Sequence, residues 1–309
     1  MSRAPDLREI PPLPEEISTA ALDGDLVLFI GAGISRLLDM PSWSEMAKLQ
    51  LESLRKRNAL NYSDLSQLRT LSPKQQLSIC SEIAESNDLT LDLTDGLVGF
   101  NEENTIYQTI NEIGCVCVTT NYDELLEPRY QSLEDGSEGP APVNRIYQRD
   151  ELLISHLDTP GTVIHLHGSV SDQNGMIVST RDYLTHYDHP RVQAFLNDLF
   201  DRKTVLFLGY GLDESEILEH ILRRGHAGKR EERRRFALQG FYFSQNPLYE
   251  NLYQYFKSSF GVHLLGFVRD HRDYKQQEQI LEDWASSIDV RKPPLTSDLE
   301  YIDGVLRNG

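Results

Sequence analysis

The chain has 309 residues, 39% hydrophobic and 25% charged, the balance of a globular protein able to bury a core. No run approaches the roughly 18–20 uninterrupted apolar residues of a bilayer-spanning helix, and the opening residues MSRAPDLREIPPLPEE lack a signal-peptide core, so a cytosolic location is expected. A formal net charge of −18 would repel phosphates from most of the surface, and direct nucleic-acid binding is not expected.

In chain order, the proline-rich residues 11–14 lead into a short amphipathic piece, Glu15–Leu22. Residues 25–30 (DLVLFI) form a short apolar run ending at glycine, the mark of a buried parallel strand. A glycine-rich turn follows, and a helical period sets in from about Ser44 to Asn58. Residues 60–112 are polar and helix-periodic, with a helix start at Ser72-Pro73 and no convincing strand, which predicts a helical insertion over about 44–112. Strand patterns return at 115–119 (CVCVT), 162–166 (TVIHL) and 204–208 (TVLFL), and more weakly at 237–243 and 261–267. Helical segments are expected at 190–200, 214–224, 247–260 and 274–288. The alternation predicts an α/β fold, a Rossmann-like doubly wound parallel sheet in one domain over 1–290, with a C-terminal tail at 291–309.

Three cysteines, Cys80, Cys115 and Cys117, cannot pair evenly and form no CxxC arrangement; they read as reduced, buried thiols, the last two as strand core. One basic stretch, Arg223–Arg235, interrupts the acidic background. It reads either as a solvated loop or oligomer contact, or as a docking site for a polyanion.

The chemistry gathers at strand ends. In an open parallel sheet, ligands bind outside the carboxyl ends of the strands. Here those ends read Gly31-Ala32-Gly33-Ile34-Ser35, Thr120-Asn121-Tyr122-Asp123, His165-Leu166-His167-Gly168 and Gly209-Tyr210-Gly211. Gly31 and Gly33 permit a tight turn with backbone N–H groups against a pyrophosphate, although many strand-to-helix turns use glycine for steric reasons alone. Ser35 adds a hydroxyl donor. Asn121 suits a ribose hydroxyl or a water; Asp123 suits an amide or a ribose, or an Asx turn capping a helix that starts near Tyr122. His167, followed at once by glycine, reads as an imidazole facing a cleft or as a structural histidine, while His165 sits within the strand and reads as core.

Taken together, GAGIS, TTNYD, HLHG and GYG resemble the sirtuins in order and placement, and more closely the bacterial sirtuin-like NAD hydrolases of antiphage defence. The resemblance spans roughly residues 20–270. It implies NAD as substrate, with Gly31, Ala32, Gly33 and Ser35 lining its phosphates and ribose, and Thr120 on the same rim. It further implies Asn121 and Asp123 at the nicotinamide-side ribose and amide, with Asn121 also positioning water, and His167 as general base. Gly209, Tyr210 and Gly211 would form the adenosine-side wall. Where relatives carry Gly-Ile-Pro-x-Phe, this chain has Asp39-Met40-Pro41-Ser42-Trp43; Pro41 and Trp43 would border the cofactor, or Trp43 is a buried helix-start aromatic.

Two departures shape the functional expectation. Between Gly168 and Gly209 there is no cysteine, so the structural zinc module of sirtuin deacylases, and any metal, is not expected. The strand that pairs with an acyl-lysine peptide is also missing, with residues 176–183 in its place. Water is then the default acceptor, and the expected activity is NAD hydrolysis to nicotinamide and ADP-ribose. Deacylation, ADP-ribosyl transfer and a non-catalytic NAD or ADP-ribose sensor are the alternatives. The resemblance also implies a homo-oligomer acting beside a second protein, such as a HerA-type translocase ATPase or an Argonaute, with the basic segment and the proline-rich N-terminus as candidate contacts.

Overall fold

The computed structural model describes residues 4–94, 97, 104–128, 145–212, 215–223 and 234–291. Most of the basic segment (224–233) and all but the first residue of the tail lie outside the described residues. Among the described residues seven strands form one sheet: β1 (Leu26–Ile30), β2 (Val116–Thr119), β3 (Arg145–Ile146), β4 (Val163–His165), β5 (Thr204–Leu208), β6 (Arg235–Phe241) and β7 (Val262–Val268). Their order is β3-β4-β2-β1-β5-β6-β7, and every pairing is parallel. This is the doubly wound α/β architecture that the alternating pattern predicts.

Alternation along the strands divides the core between two faces. Val27, Phe29, Val118, Val205 and Phe207 meet α8 (Pro190–Arg202), α9 (Ser215–Arg223) and α10 (Asn246–Phe260) through Val192, Phe195, Ile217 and Tyr249. Leu28, Ile30, Cys117, Leu206 and Leu208 meet α1 (Glu15–Asp23), α6 (Ile106–Ile113) and α11 (Gln276–Ala285) through Ile17, Ile110, Ile280 and Trp284. Phe29, Phe195 and Phe207 are wholly buried, and burying such a side chain stabilises the fold by roughly 1.5–3 kcal/mol. Cys80, Cys115 and Cys117 are buried and unpaired. Among the described residues no helix is long and apolar enough to cross a membrane.

The polar stretch read as an insertion contains α3 (Trp43–Lys56), α4 (Tyr62–Leu68), α5 (Pro73–Ser86) and α6. Ser72 caps α5 reciprocally with Gln75, and Pro73 occupies the first turn, as its sequence signal predicts. The first three helices share a small core of Leu51, Leu54, Leu65 and Cys80. By contrast, α6 lies directly on the sheet, with Ile106 and Ile110 fully buried there. The proline-rich N-terminus is engaged by its own chain: Trp284 Nε1 donates to the Pro11 carbonyl at 2.9 Å, and Arg8 bridges to Phe267.

Three local features differ from the sequence expectation. The edge strand β3 is only two residues long and carries no readable pattern. No helix starts near Tyr122; residues 120–128 run without helix because their neighbours take up the backbone. Val170 N donates to the Tyr122 carbonyl, the Arg145 guanidinium donates to the carbonyls of Glu124 and Leu126, and Asn111 Oδ1 accepts from Glu127 N. Finally, residues 180–187 form a helix, α7 (Thr180–Tyr187), capped by Ser179 and Asp182 in a reciprocal box.

Candidate active site

The sheet topology brings all four strand ends to one level, since Thr119, itself paired with Ile30, also pairs with His165. Ile30 pairs with Thr119 on one side and Leu208 on the other, so Gly31, Thr120 and Gly209 leave the sheet side by side. The chain passes from β1 to β2 on one flank and later adds β5 on the other, which makes the β1–β5 junction the topological switch point. The two glycine turns touch there. A Cβ on Gly33 would lie 2.6 Å from the Gly209 carbonyl oxygen, and one on Gly209, whose φ is +60°, would lie 2.4 Å from Ile34 N. Gly33 N donates to Gly209 O at 2.8 Å and Gly31 N to Leu208 O at 2.9 Å. The glycines read from sequence as a phosphate cradle thus have a nearer structural reason: they let two turns close on each other and they spend their N–H groups doing so.

Beside this junction lies a buried polar network. Ser35, Asn121 and Asp123 are 6%, 6% and 4% exposed. Ser35 Oγ donates to Asp123 Oδ2 at 2.7 Å, and the Tyr107 hydroxyl, from α6, donates to the same oxygen at 3.2 Å. Leu125 N reaches Asp123 Oδ1 at 3.3 Å. Burial, and then the Asp123 charge, push the Tyr107 phenol well above its ordinary range, so it stays a donor. Asn121 Nδ2 donates to Ser35 Oγ at 2.8 Å and to the Gly31 carbonyl at 3.1 Å. The amide nitrogen is therefore engaged, while Asn121 Oδ1 is buried with no donor among the described residues. His165 Nδ1 donates to the Asn121 carbonyl at 3.2 Å, which fixes the turn from the other side.

His167 belongs to a second cluster. It has no exposed surface, and its ring packs edge-on against Tyr183, His186 and Tyr187 of α7, with centroids 5.0, 6.0 and 5.9 Å away. His167 Nε2 lies 2.8 Å from the Tyr187 hydroxyl, and Nδ1 is buried without a partner among the described residues. Burial, followed by the proximity of His186 and Lys74, holds the His167 imidazole well below its ordinary pKa; burial takes His186 down to about 4. Trp43 joins the cluster's outer side, 6.0 Å from Tyr122 and 6.3 Å from Tyr183 between ring centroids. Among the described residues no hydrogen bond joins His167 to Asn121 or Asp123. Tyr122 connects the two halves indirectly, donating to the Ile177 carbonyl at 2.6 Å while Ile177 N donates to His167 O at 2.9 Å.

A polar network and a neutral imidazole thus stand at the carboxyl ends of neighbouring strands, and residues 116–262 match the family model of the SIR2-like domain. Somewhat under half of the chain is thus similar to the SIR2-like domain. Over 215 residues it is 24% identical to Defense-associated sirtuin 2 of Bacillus subtilis, an alignment covering 66% of this chain and 19% of that protein. The chain therefore spans about a fifth of the length of the curated relative it matches. This similarity agrees with the resemblance read from the strand ends, three of which (120–123, 165–168 and 209–211) lie within the matched residues.

Of the expected site residues, Asn121 and Asp123 meet through Ser35, and His167 stands apart with α7. Thr120 is buried at the rim, its N donating to Ile30 O at 3.3 Å. Ala32 opens the short helical turn 32–35, and Gly211 is exposed beyond the β5 end. Tyr210 turns its ring into the core against Phe29 and Phe207 rather than toward the rim. Pro41 and Trp43 are half-buried at the start of α3, and Trp43 packs with Met46, Leu77 and Tyr122. Sequence reasoning missed Tyr107, Tyr183, His186 and Tyr187. For the last three, the Ser179-to-Asp182 capping spacing was a usable signal for a helix. Tyr107 offered none, since its partner Ser35 lies 72 residues away. Among the described residues no group of three His, Cys, Asp or Glu side chains is arranged to hold a metal ion.

Proposed function

We propose that this domain hydrolyses the bond between nicotinamide and ribose in NAD, with Asn121 and His167 as the working residues. The observation that carries the reading is Asn121 Oδ1, a buried acceptor with no donor among the described residues while its own amide nitrogen is held by Ser35 and Gly31. Leaving such an oxygen unpaired costs about 1–3 kcal/mol, and a water or a ribose hydroxyl supplies the missing donor. Nicotinamide in NAD is a cationic leaving group and needs little acid assistance. The C1′–N bond breaks with its electron pair going to nicotinamide, water oxygen bonds to C1′, and the water proton passes to the base, giving nicotinamide, ADP-ribose and H⁺.

A neutral imidazole is the right form for that base, and general-base catalysis contributes typically about 10²–10⁴-fold. His167 has no exposed surface, so a substrate oxygen reaches it only when the side chains covering it shift. That same burial is what favours a second reading, a sensor that binds NAD or ADP-ribose without turnover and gates a partner.

The relative's name supports a place in defence, where NAD loss would halt an infected cell. Unrestrained NAD hydrolysis would be lethal, so the reading includes gating, by self-association or by a second protein such as a translocase ATPase. The test is nicotinamide release by the purified protein. Asn121→Ala and His167→Ala are each expected to lose it by at least 100-fold with unfolding midpoints unchanged within a few degrees. Full activity in either folded variant would sink the assignment.

A further inference from the structure

We infer that Tyr187 is a positioning residue for His167, accepting the imidazole Nε2–H so that Nδ1 presents the basic lone pair; the inference rests on the NAD-hydrolase reading for its catalytic consequence only. The geometry is asymmetric. One ring nitrogen of His167 lies 2.8 Å from the Tyr187 hydroxyl, and the other is buried and unpartnered among the described residues. Two neutral tautomers could satisfy the first contact. With hydrogen on Nδ1, Tyr187 would donate to Nε2 and a buried N–H would be left with no acceptor. With hydrogen on Nε2, the orphan is a lone pair instead. Orphaned buried N–H groups are the rarer and costlier of the two, which selects the Nε2–H form. A base whose far nitrogen is held by an orienting group is also the arrangement that proton-abstracting imidazoles require.

The setting supports a fixed rather than a mobile ring. Tyr183 and Tyr187 stack 6.2 Å apart on α7, and the imidazole stands edge-on to both. Lys74, from α5, sits 3.7 Å above the Tyr183 ring and secures that side of the helix to the helical subdomain. Ser78 and Thr180 are joined across the same junction. The titratable groups packed about His167 are therefore Tyr183, His186 and Tyr187 from α7 and Lys74 from α5. In the reaction the proton leaves the water or ribose oxygen and lands on Nδ1; the resulting imidazolium keeps its second N–H on Tyr187. An acceptor on Nε2–H stabilises that cation, so removing it lowers the imidazole's affinity for a proton.

The experiment pairs Tyr187→Phe with His167→Ala in the full chain and adds imidazole ¹⁵N spectra of the unmodified protein. The expected results are a folded Tyr187→Phe with kcat down about tenfold and KM within about twofold. The acid limb of its kcat/KM profile moves to lower pH, a change that a merely structural role would not produce. The ¹⁵N spectra show His167 protonated on Nε2 and bare on Nδ1. Unaltered kcat and pH profile in Tyr187→Phe, a faster enzyme (Tyr187 would then be a plug), or a protonated Nδ1 overturns the inference. The spectra need no NAD and no variant, so they judge it even if Tyr187→Phe fails to fold. Undiminished hydrolysis by His167→Ala would instead overturn the NAD-hydrolase reading of this histidine, which the spectra leave untouched.

Discussion

The two halves of the site are buried to the same degree and built on opposite principles. Around Asp123 nearly every polar atom has a partner: Ser35, Tyr107 and Leu125 supply donors, and Asn121 ties the group to the Gly31 carbonyl. Around His167 the neighbours are aromatic rings, and among the described residues three imidazole nitrogens of His167 and His186 have no partner. The difference teaches what each half is for. Hydrogen bonding from several elements fixes geometry, so the Asp123 side is a scaffold that aims one spare acceptor, Asn121 Oδ1. Desolvation fixes protonation state, so the His167 side keeps an imidazole neutral, able to take a proton but a weaker base than an exposed histidine. On the proposed reading, one half would set where a substrate atom sits and the other would receive its proton.

The strongest way to break the comparison is to empty the scaffold. Asp123→Ala removes the shared acceptor of Ser35 and Tyr107 and leaves both hydroxyls buried without it, a cost of about 1–3 kcal/mol. Chemical denaturation should show that loss, and nicotinamide release should fall with it by more than tenfold. A variant as stable and as active as the parent would mean that the network holds nothing in place.

Acid sharpens the other half. His186 is held at about 4 against an ordinary 6.5, so the unfolded chain takes up its proton below 6.5 while the fold resists until near 4. Its neutral form therefore costs nothing above pH 6.5, and stability drains away as pH falls from 6.5 toward 4, by on the order of 3 kcal/mol for that shift. His167 adds to the loss in the same direction. His186→Phe should flatten the dependence of the unfolding midpoint on pH in that window. A midpoint that falls as steeply as in the parent would place the acid sensitivity elsewhere.

The smallest effect is expected from Tyr107→Phe, which deletes one hydroxyl from a network with other donors. About 1 kcal/mol of stability is at stake, with KM for NAD moving more than kcat. An unchanged KM alongside a collapsed kcat would place Tyr107 in the chemistry rather than in the scaffold.

The sequence-to-structure record follows the same divide. The strands β1, β2, β4 and β5 were legible because apolar runs end abruptly in glycine or polar residues, and parallel pairing then sets Ile30, Thr119 and Leu208 level. The rim motifs were legible because they are contiguous. What escaped was the part contributed from a distance. Tyr107 reaches Ser35 and Asp123 from a helix read as an insertion, and nothing local announces that Ile106 and Ile110 bury against the sheet. The loop at 120–128 looked like a helix start because its carbonyls find Val170 N and the Arg145 guanidinium only in three dimensions. The glycines were readable as a turn, yet the contact that makes Gly33 and Gly209 necessary is with each other.

The central claim is that the oxygen spared at Asn121 and the dry imidazole at His167 serve the cleavage of NAD. The most direct measurement is product analysis by NMR and mass spectrometry after incubating the purified protein with NAD, alone and with a candidate partner protein. The account predicts nicotinamide and free ADP-ribose in equal amounts, both absent with Asn121→Ala. NAD bound stoichiometrically but intact in every assembly state, or ADP-ribose recovered on an acceptor instead of in solution, would contradict it.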